Sequence, residues 1–427
     1  MDISELYQIY KKYPSVQTDT RKVQQGDLFF ALKGPNFNGN LFVEKAFEKG
    51  ASYCVVDEDV FPEDTRVIRV DDVLMTLQLL AKKHRKQFTI PFIAITGSNG
   101  KTTTKELIHA VLSTTYKTYT TEGNLNNHIG IPLTILKIKD DAEMAVIEMG
   151  ANHQKEIASY CEYALPTYGL ITNCGKAHLE GFGGIEGVRK GKGELFEYLK
   201  VNKGTVFLFN DLNYLNGMSH GAENIITYGT GVDVANVEGV VYDDKEYLKV
   251  KINKGASIDL IHTNLVGGYN LPNILAAVCV GKTFAVSDEN IKTALEAYLP
   301  SNSRSQLVHF GSNSIILDAY NANPSSMKVA IENFANMPGS NKILMLGGMM
   351  ELGTESNLEH INMVNLIKQF SWENVVLVGN QYQEIHEGFT FFTNVMEASE
   401  WFKSMCFENK QILIKGSRSI QMEKILE

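Results

Sequence analysis

Nine consecutive residues hold the densest chemistry in the chain: Thr96-Gly97-Ser98-Asn99-Gly100-Lys101-Thr102-Thr103-Thr104. Glycines let backbone N–H groups close on phosphate oxygens. The ammonium of Lys101 would reach the β- and γ-phosphates of a nucleoside triphosphate, and the Thr102 hydroxyl would hold Mg²⁺. The apolar run Phe92-Ile93-Ala94-Ile95 in front reads as a buried parallel strand, and the stretch from Lys105 to Leu112 behind reads as a helix. Strand, glycine turn, Lys-Thr and helix form a phosphate cradle, and the helix N-terminus adds partial positive charge. A glycine-rich turn without those flanks is only a turn. The general pattern G-x-x-x-x-G-K-[ST] asks for a glycine at position 95, where this chain has Ile95. Its first glycine is Gly97, so the cradle is the shorter Thr-Gly-x-x-Gly-Lys-Thr-Thr.

Other reactive side chains stand at the ends of apolar runs. Glu148 closes Ala145-Val146-Ile147. In an open α/β sheet ligands bind just past the strand ends, so this carboxylate is placed to hold a hard cation. The structural alternative is a solvated acid. The run ending at Thr172 leads through Asn173-Cys174-Gly175-Lys176-Ala177 to His178. A single histidine is more often structural than a ligand, but this one follows the next parallel strand and would face the same phosphates. Gly187-Val188-Arg189-Lys190-Gly191-Lys192-Gly193-Glu194 reads plainly as a solvated basic turn running into a helix. Gly267-Gly268-Tyr269-Asn270-Leu271-Pro272-Asn273 opens another helix, which Asn270 is placed to cap. In Asp318-Ala319-Tyr320-Asn321-Ala322-Asn323-Pro324, Asn323 reads as an N-cap and Pro324 as the first helical residue. That explains neither Asp318, which could orient a ligand or a lysine, nor Asn321. Arg304 is the expected partner for transferring phosphate charge. Gly347-Gly348-Met349-Met350-Glu351-Leu352-Gly353 and Lys415-Gly416-Ser417-Arg418 follow further strands and would line the same cleft.

These groups need elements to hold them. At 427 residues the chain exceeds one ordinary core. The pattern predicts an α/β protein of three domains. A small α/β domain spans 1–88, with a short helix over 41–49 and a longer one over 72–88. A central doubly wound P-loop domain spans 89–300 and carries an added antiparallel sheet over 232–265. A Rossmann-like domain spans 301–427, with parallel strands at 314–318, 342–346, 374–378 and 411–415. This last domain lacks G-x-G-x-x-G, which argues against a dinucleotide. Hydrophobic residues make up 44% of the chain and charged ones 21%, an ordinary globular balance. Forty basic and 49 acidic residues give a formal net charge of −9, which disfavours non-specific binding to nucleic acid. Five scattered cysteines without C-x-x-C suggest reduced thiols. The first residues show no signal-peptide pattern, and no apolar run approaches the ~20 residues of a membrane span. A cytoplasmic location is expected.

Together these blocks resemble the Mur ligases, the ATP-dependent amide-bond enzymes of peptidoglycan synthesis. Folylpolyglutamate synthetases carry a related loop but usually follow its lysine with Gly-Ser, so Lys101-Thr102-Thr103 favours the Mur family. The resemblance spans nearly the whole chain. Glu122-Gly123-Asn124-Leu125-Asn126-Asn127-His128, the 318–324 block and the 347–353 block point to the branch that adds D-Ala-D-Ala to UDP-MurNAc-tripeptide. The Asp-Asn-Pro-Arg motif of the branch that adds the third residue is absent. The resemblance implies ATP and Mg²⁺ as cofactors and an acyl-phosphate intermediate. It implies nucleotide contacts from Thr96, Gly97, Ser98, Asn99, Gly100, Lys101, Thr102, Thr103, Asn270, Asn273, Arg304 and Asp318. Substrate contacts are implied for Asp19-Thr20-Arg21 in a UDP-binding first domain, for Asn126, Asn127 and His128, and for Tyr320, Asn321 and Asn323. Lys101, Lys192, His178 and Arg304 are implied as catalytic, and Thr102, Glu148, His178 and a carbamylated Lys192 as metal-binding, with Lys190 as competitor for that modification. The chain departs from the family at Tyr269, where a histidine is usual. The implied partners are these small molecules alone, with no nucleic acid, and the chain is expected to act as a monomer. Two other readings stand beside this one: a folylpolyglutamate-type ligase, and a P-loop NTPase switch.

Overall fold

The computed structural model describes residues 2–231, 235–301 and 303–427. Three sheets organise it. The first has four parallel strands in the order Val16–Gln17, Leu28–Phe30, Tyr53–Val56, Val67–Arg69. The predicted helix over 41–49 is a 3₁₀ turn, Gly39–Phe42, continued by Val43–Glu48. The helix Val73–Arg85 begins with the Asp72 carboxylate accepting the Met75 N–H at 2.8 Å. It connects the first sheet to the next unit. His84 near its end lies against Tyr7 and Tyr10 and is 2.7 Å from the Ile138 carbonyl, while Arg85 donates to the Ala164 and Leu165 carbonyls.

The central sheet has nine strands. Its order is Leu260–His262, Lys249–Lys254, Val237–Asp243, Asn224–Gly229, Thr205–Phe209, Tyr168–Ile171, Phe92–Thr96, Met144–Glu148, Thr118–Thr120. Phe92–Thr96 is buried at every position, as its unbroken apolar sequence requires of a strand covered on both faces. The chain leaves it for Thr118–Thr120 and Met144–Glu148 on one side and for Tyr168–Ile171 on the other. The turn after Thr96 is therefore a topological switch point, where open α/β sheets have their ligand crevice. The expected antiparallel sheet is not separate. Val237–Asp243 pairs in parallel with Asn224–Gly229 through Tyr228↔Val237 and Gly229↔Glu238, and the antiparallel strands extend the same sheet. Residues 232–234, at the start of the expected region, lie outside the described residues.

The third sheet runs Gln306–Phe310, Asn313–Asp318, Gln411–Lys415, Lys342–Gly347, Asn374–Val378, Thr390–Phe392. The four anticipated strands are all present and parallel to one another. Sequence reading missed the antiparallel edge at Gln306–Phe310 and the short strand Thr390–Phe392. All five cysteines are free thiols, and only Cys406 is exposed. No described helix is long and apolar enough to cross a membrane.

Candidate functional site

The glycine turn opens into a cleft of about 800 Å³ between the central sheet and the third unit. Ser98 through Thr103 line it, together with Asn126, Asn127, His128, Glu148, His178, Asn270, Asn273, Arg304, Asp318, Tyr320, Asn321 and Asn323. Thr96 and Gly97 lie behind its wall. Thr96 is fully buried and donates to the Met149 carbonyl. Gly97 has φ +143°, and a Cβ there would sit 2.0 Å from the Thr172 hydroxyl, so the neighbouring strand end leaves no room for a side chain. Gly100 sits at the N-cap of the helix Lys101–Ser113 with φ +80°.

Lys101 folds back over its own loop and donates to the Gly97 carbonyl at 2.7 Å and the Ser98 carbonyl at 3.2 Å. Burial lowers its pKa, against the pull of Glu148. An arriving phosphate would exchange neutral carbonyls for a full anion. The Thr102 hydroxyl donates to Oε1 of Glu148 at 3.2 Å, and the Asn126 amide donates to the same oxygen at 2.7 Å. The other oxygen, Oε2, is buried without a partner. An orphaned carboxylate oxygen in a phosphate cleft suits a Mg²⁺ that brings most of its remaining ligands as phosphate and water. No cluster of three or more His, Cys, Asp or Glu placed to hold a metal ion occurs among the described residues.

Lys192 does not reach the cleft surface. It is 1% exposed on the helix Ile185–Val201, donates to the Ala151 carbonyl at 2.9 Å, and has its ammonium 4.9 Å from the Phe182 ring centre. Burial first, and then the positive charge of Lys101, bring its pKa down to about 7. Lys190 is exposed. The basic stretch is therefore no solvated turn: it is helical, and packing separates its two lysines.

Asn270 occupies the N-cap position of the helix Leu271–Thr283, but its side chain caps nothing. Instead Asn273 donates to Asn270 at 2.9 Å, and the Thr104 hydroxyl donates to Asn273 at 3.0 Å, pinning this helix to the one behind the glycine turn. Tyr269 reaches Ser305 through its hydroxyl at 2.9 Å, a contact across the junction with the third unit. Asn323 is the expected cap of Pro324–Asn336, accepting the Ser326 N–H at 2.9 Å. It also crosses the cleft to donate to Asn99 at 2.7 Å. The Arg304 guanidinium lies 3.5 Å from the Tyr320 ring centre, and its Nε is buried without an acceptor. Asp318 pairs with Lys415 at 2.6 Å, so the carboxylate does orient a lysine. Asn321 supplies a carbonyl to that same lysine at 3.3 Å. His178 faces the Glu351 carboxylate of the third unit through Nδ1.

Asp19, Thr20 and Arg21 are not part of this cleft. They form their own turn on the first unit, where Arg21 grips Asp19 at 2.8 Å and holds its carboxyl down at about 2. Asn127 and His128 are exposed at the cleft rim. The Asn127 side chain accepts the N–H groups of Ile129 and Gly130, which starts the helix Gly130–Leu136.

Comparison with known proteins agrees with this arrangement. Three family models match in succession: the Mur ligase family catalytic domain over residues 12–85, the Mur ligase middle domain over 95–281, and the Mur ligase glutamate ligase domain over 303–418. The UDP-N-acetylmuramoyl-tripeptide–D-alanyl-D-alanine ligase of Bacillus subtilis is 36% identical over 96% of this chain and 92% of its own length. A crystal structure of MurF from Acinetobacter baumannii superposes with a TM-score of 0.89 at 28% identity, over 99% of this chain and 97% of that one. MurF from Thermotoga maritima in complex with ADP superposes at 0.85 and 25% identity, over 96% of each chain. Three consecutive family matches and a relative 36% identical over nearly the whole chain lead to one conclusion: the chain belongs to the Mur ligase family.

Proposed function

We propose that this protein is the ATP-dependent ligase that adds D-Ala-D-Ala to UDP-MurNAc-tripeptide, the branch of the family to which its near full-length relatives belong. The terminal carboxylate of the tripeptide attacks the γ-phosphorus, and the bond to ADP breaks, leaving an acyl phosphate. The dipeptide amine then attacks the acyl carbon, phosphate departs, one proton is released and an amide remains.

The observation that carries this reading is the single cleft in which Lys101, Glu148 and Arg304 face one another from two units. Two anions must meet, so positive charge must surround the γ-phosphate. Lys101 neutralises it from the turn, and Arg304, with its unsatisfied Nε, does so from the third unit. Thr102, Glu148 and His178 are the residues that would hold Mg²⁺, which supplies Lewis-acid neutralisation of the phosphate oxygens. Asn126 holds one Glu148 oxygen, leaving the other buried without a partner. Asn270, Asn273 and Asp318 are read as nucleotide contacts, and Tyr320, Asn321 and Asn323 as walls around the reacting ends. The turn at Asp19–Arg21 is read as the grip on the UDP group. Closure of the third unit excludes water from the acyl phosphate. We read the domains as 1–88, 89–300 and 301–427, and the chain as a cytoplasmic monomer acting on small molecules, without nucleic acid.

Phosphate release from ATP should require both UDP-MurNAc-tripeptide and D-Ala-D-Ala, with diaminopimelate and lysine tripeptides tested separately. Lys101→Ala should abolish turnover while leaving the melting temperature within a few degrees. Phosphate release without the dipeptide would favour a switch-type NTPase, and near-normal turnover in the Ala variant would remove the loop from the mechanism.

A further inference from the structure

The segment following Tyr168–Ile171 and the loop following Lys342–Gly347 meet across the cleft. Lys176 pairs with Glu359 at 2.6 Å, its N–H donates to Ser325 at 2.8 Å, and His178 meets Glu351 through Nδ1. The Glu351 carboxylate lies within ion-pair distance of that ring nitrogen. Both residues have left-handed backbones, φ +52° and φ +62°. A non-glycine residue adopts that conformation at a cost of order 1–3 kcal/mol, borne where surrounding structure demands it.

The loop carrying Glu351 is held on several sides. The Met349 N–H donates to Nε2 of His360 at 2.9 Å, and the Met350 N–H donates to the Ser417 hydroxyl at 3.0 Å. The Glu351 carbonyl accepts the Glu180 N–H at 3.4 Å, two residues past the histidine. The backbone that carries Glu351 is thus anchored to the third unit.

We infer that Glu351 is a positioning residue for His178: the third unit's carboxylate engages Nδ1, leaves Nε2 for the cleft, and so makes the cation affinity of His178 depend on closure of the cleft. A metal-binding histidine usually gives its other ring N–H to a carboxylate or carbonyl, which fixes the tautomer and raises ligand basicity. Here that partner comes from a different unit. A simple bridge between units would be worth little, because the Glu351 side chain is 53% exposed. The inference rests on reading His178 as a metal-side residue.

The test is Mn²⁺ titration of the full-length protein with a non-hydrolysable ATP analogue, followed by electron paramagnetic resonance. Wild type is compared with Glu351→Ala, Glu351→Gln and His178→Ala. Glu351→Ala should weaken Mn²⁺ about ten- to a hundredfold. Glu351→Gln, which keeps an acceptor oxygen, should lose less. The ¹⁵N signals of His178 should shift in both Glu351 variants. Mn²⁺ affinity within twofold of wild type in both Glu351 variants, with His178→Ala weakened, would overturn the inference and leave the metal reading intact. Unchanged affinity in His178→Ala would overturn both.

Discussion

Lys192→Met is the sharpest perturbation of this site. An ordinary lysine with its pKa at 10.5 has about one amine in three thousand neutral at pH 7. Burial and the nearby Lys101 bring Lys192 to about 7, so about half of its amines are neutral there, roughly a thousandfold enrichment. A neutral amine can add CO₂: the N–C bond forms, one N–H proton leaves, and an anionic carbamate results. Lys190, exposed on the same helix, lacks that environment. With ¹³C-bicarbonate the wild type should give a carbamate resonance that Lys192→Met lacks and Lys190→Met keeps. Exhaustive CO₂ removal should lower the ligation rate, and Lys192→Met should lower kcat/KM at least a hundredfold, about 3 kcal/mol. Stability supplies a second readout. A lysine whose folded-state pKa is depressed costs the native state its full penalty below about pH 7 and nothing above about 10.5. That penalty is on the order of 5 kcal/mol before the bond to Ala151 offsets part of it. The unmodified, CO₂-free wild type should therefore gain stability from pH 7 toward pH 10, while Lys192→Met starts more stable and stays flat. Absence of the resonance, indifference to CO₂ and equal pH slopes would together refute the argument.

Lys415→Met should destabilise the fold by about 3–5 kcal/mol in urea titrations, because it strands the Asp318 carboxylate. Adding Asp318→Asn should restore most of that, and simple additivity of the two changes would contradict the pairing. His360 accepts an N–H at Nε2 and lies 2.6 Å from the Ser356 carbonyl at Nδ1, so the bonded form is neutral; burial lowers its pKa from 6.5. Stability should fall as pH drops below about 6.5, and His360→Gln should flatten that slope between pH 5 and 7. Equal slopes would sink the assignment.

What was legible in the sequence follows from how local each signal is. The glycine turn, its flanking elements and the Asn323 cap are encoded by neighbours within a few residues. Gly97 was legible as a loop glycine, but its reason, the Thr172 hydroxyl, lies on another strand. Alternating polarity announced the strands between Val237 and His262. It could not say that Tyr228↔Val237 pairing would join them to the central sheet. Lys190 and Lys192 are two residues apart on one helix, and only the packing of Phe182 and Ala151 separates them. Asn270 had the right residue type for a cap, yet its hydrogen bonds go to Val266 and Asn273. The Glu351 loop was expected at the cleft, whereas its meeting with His178 depends on how two units dock.

The distribution of sulfur has a practical corollary. Four thiols are enclosed, and burial pushes Cys54, Cys174 and Cys279 up to about 12 and Cys161 higher still, which suppresses the reactive thiolate. Cys406, just past the helix Val395–Ser404, is open to reagent. A maleimide dye or spin label would mark the third unit at one spot, without engineering a cysteine-free background. Whether that unit shifts during turnover could then be read in the native polypeptide.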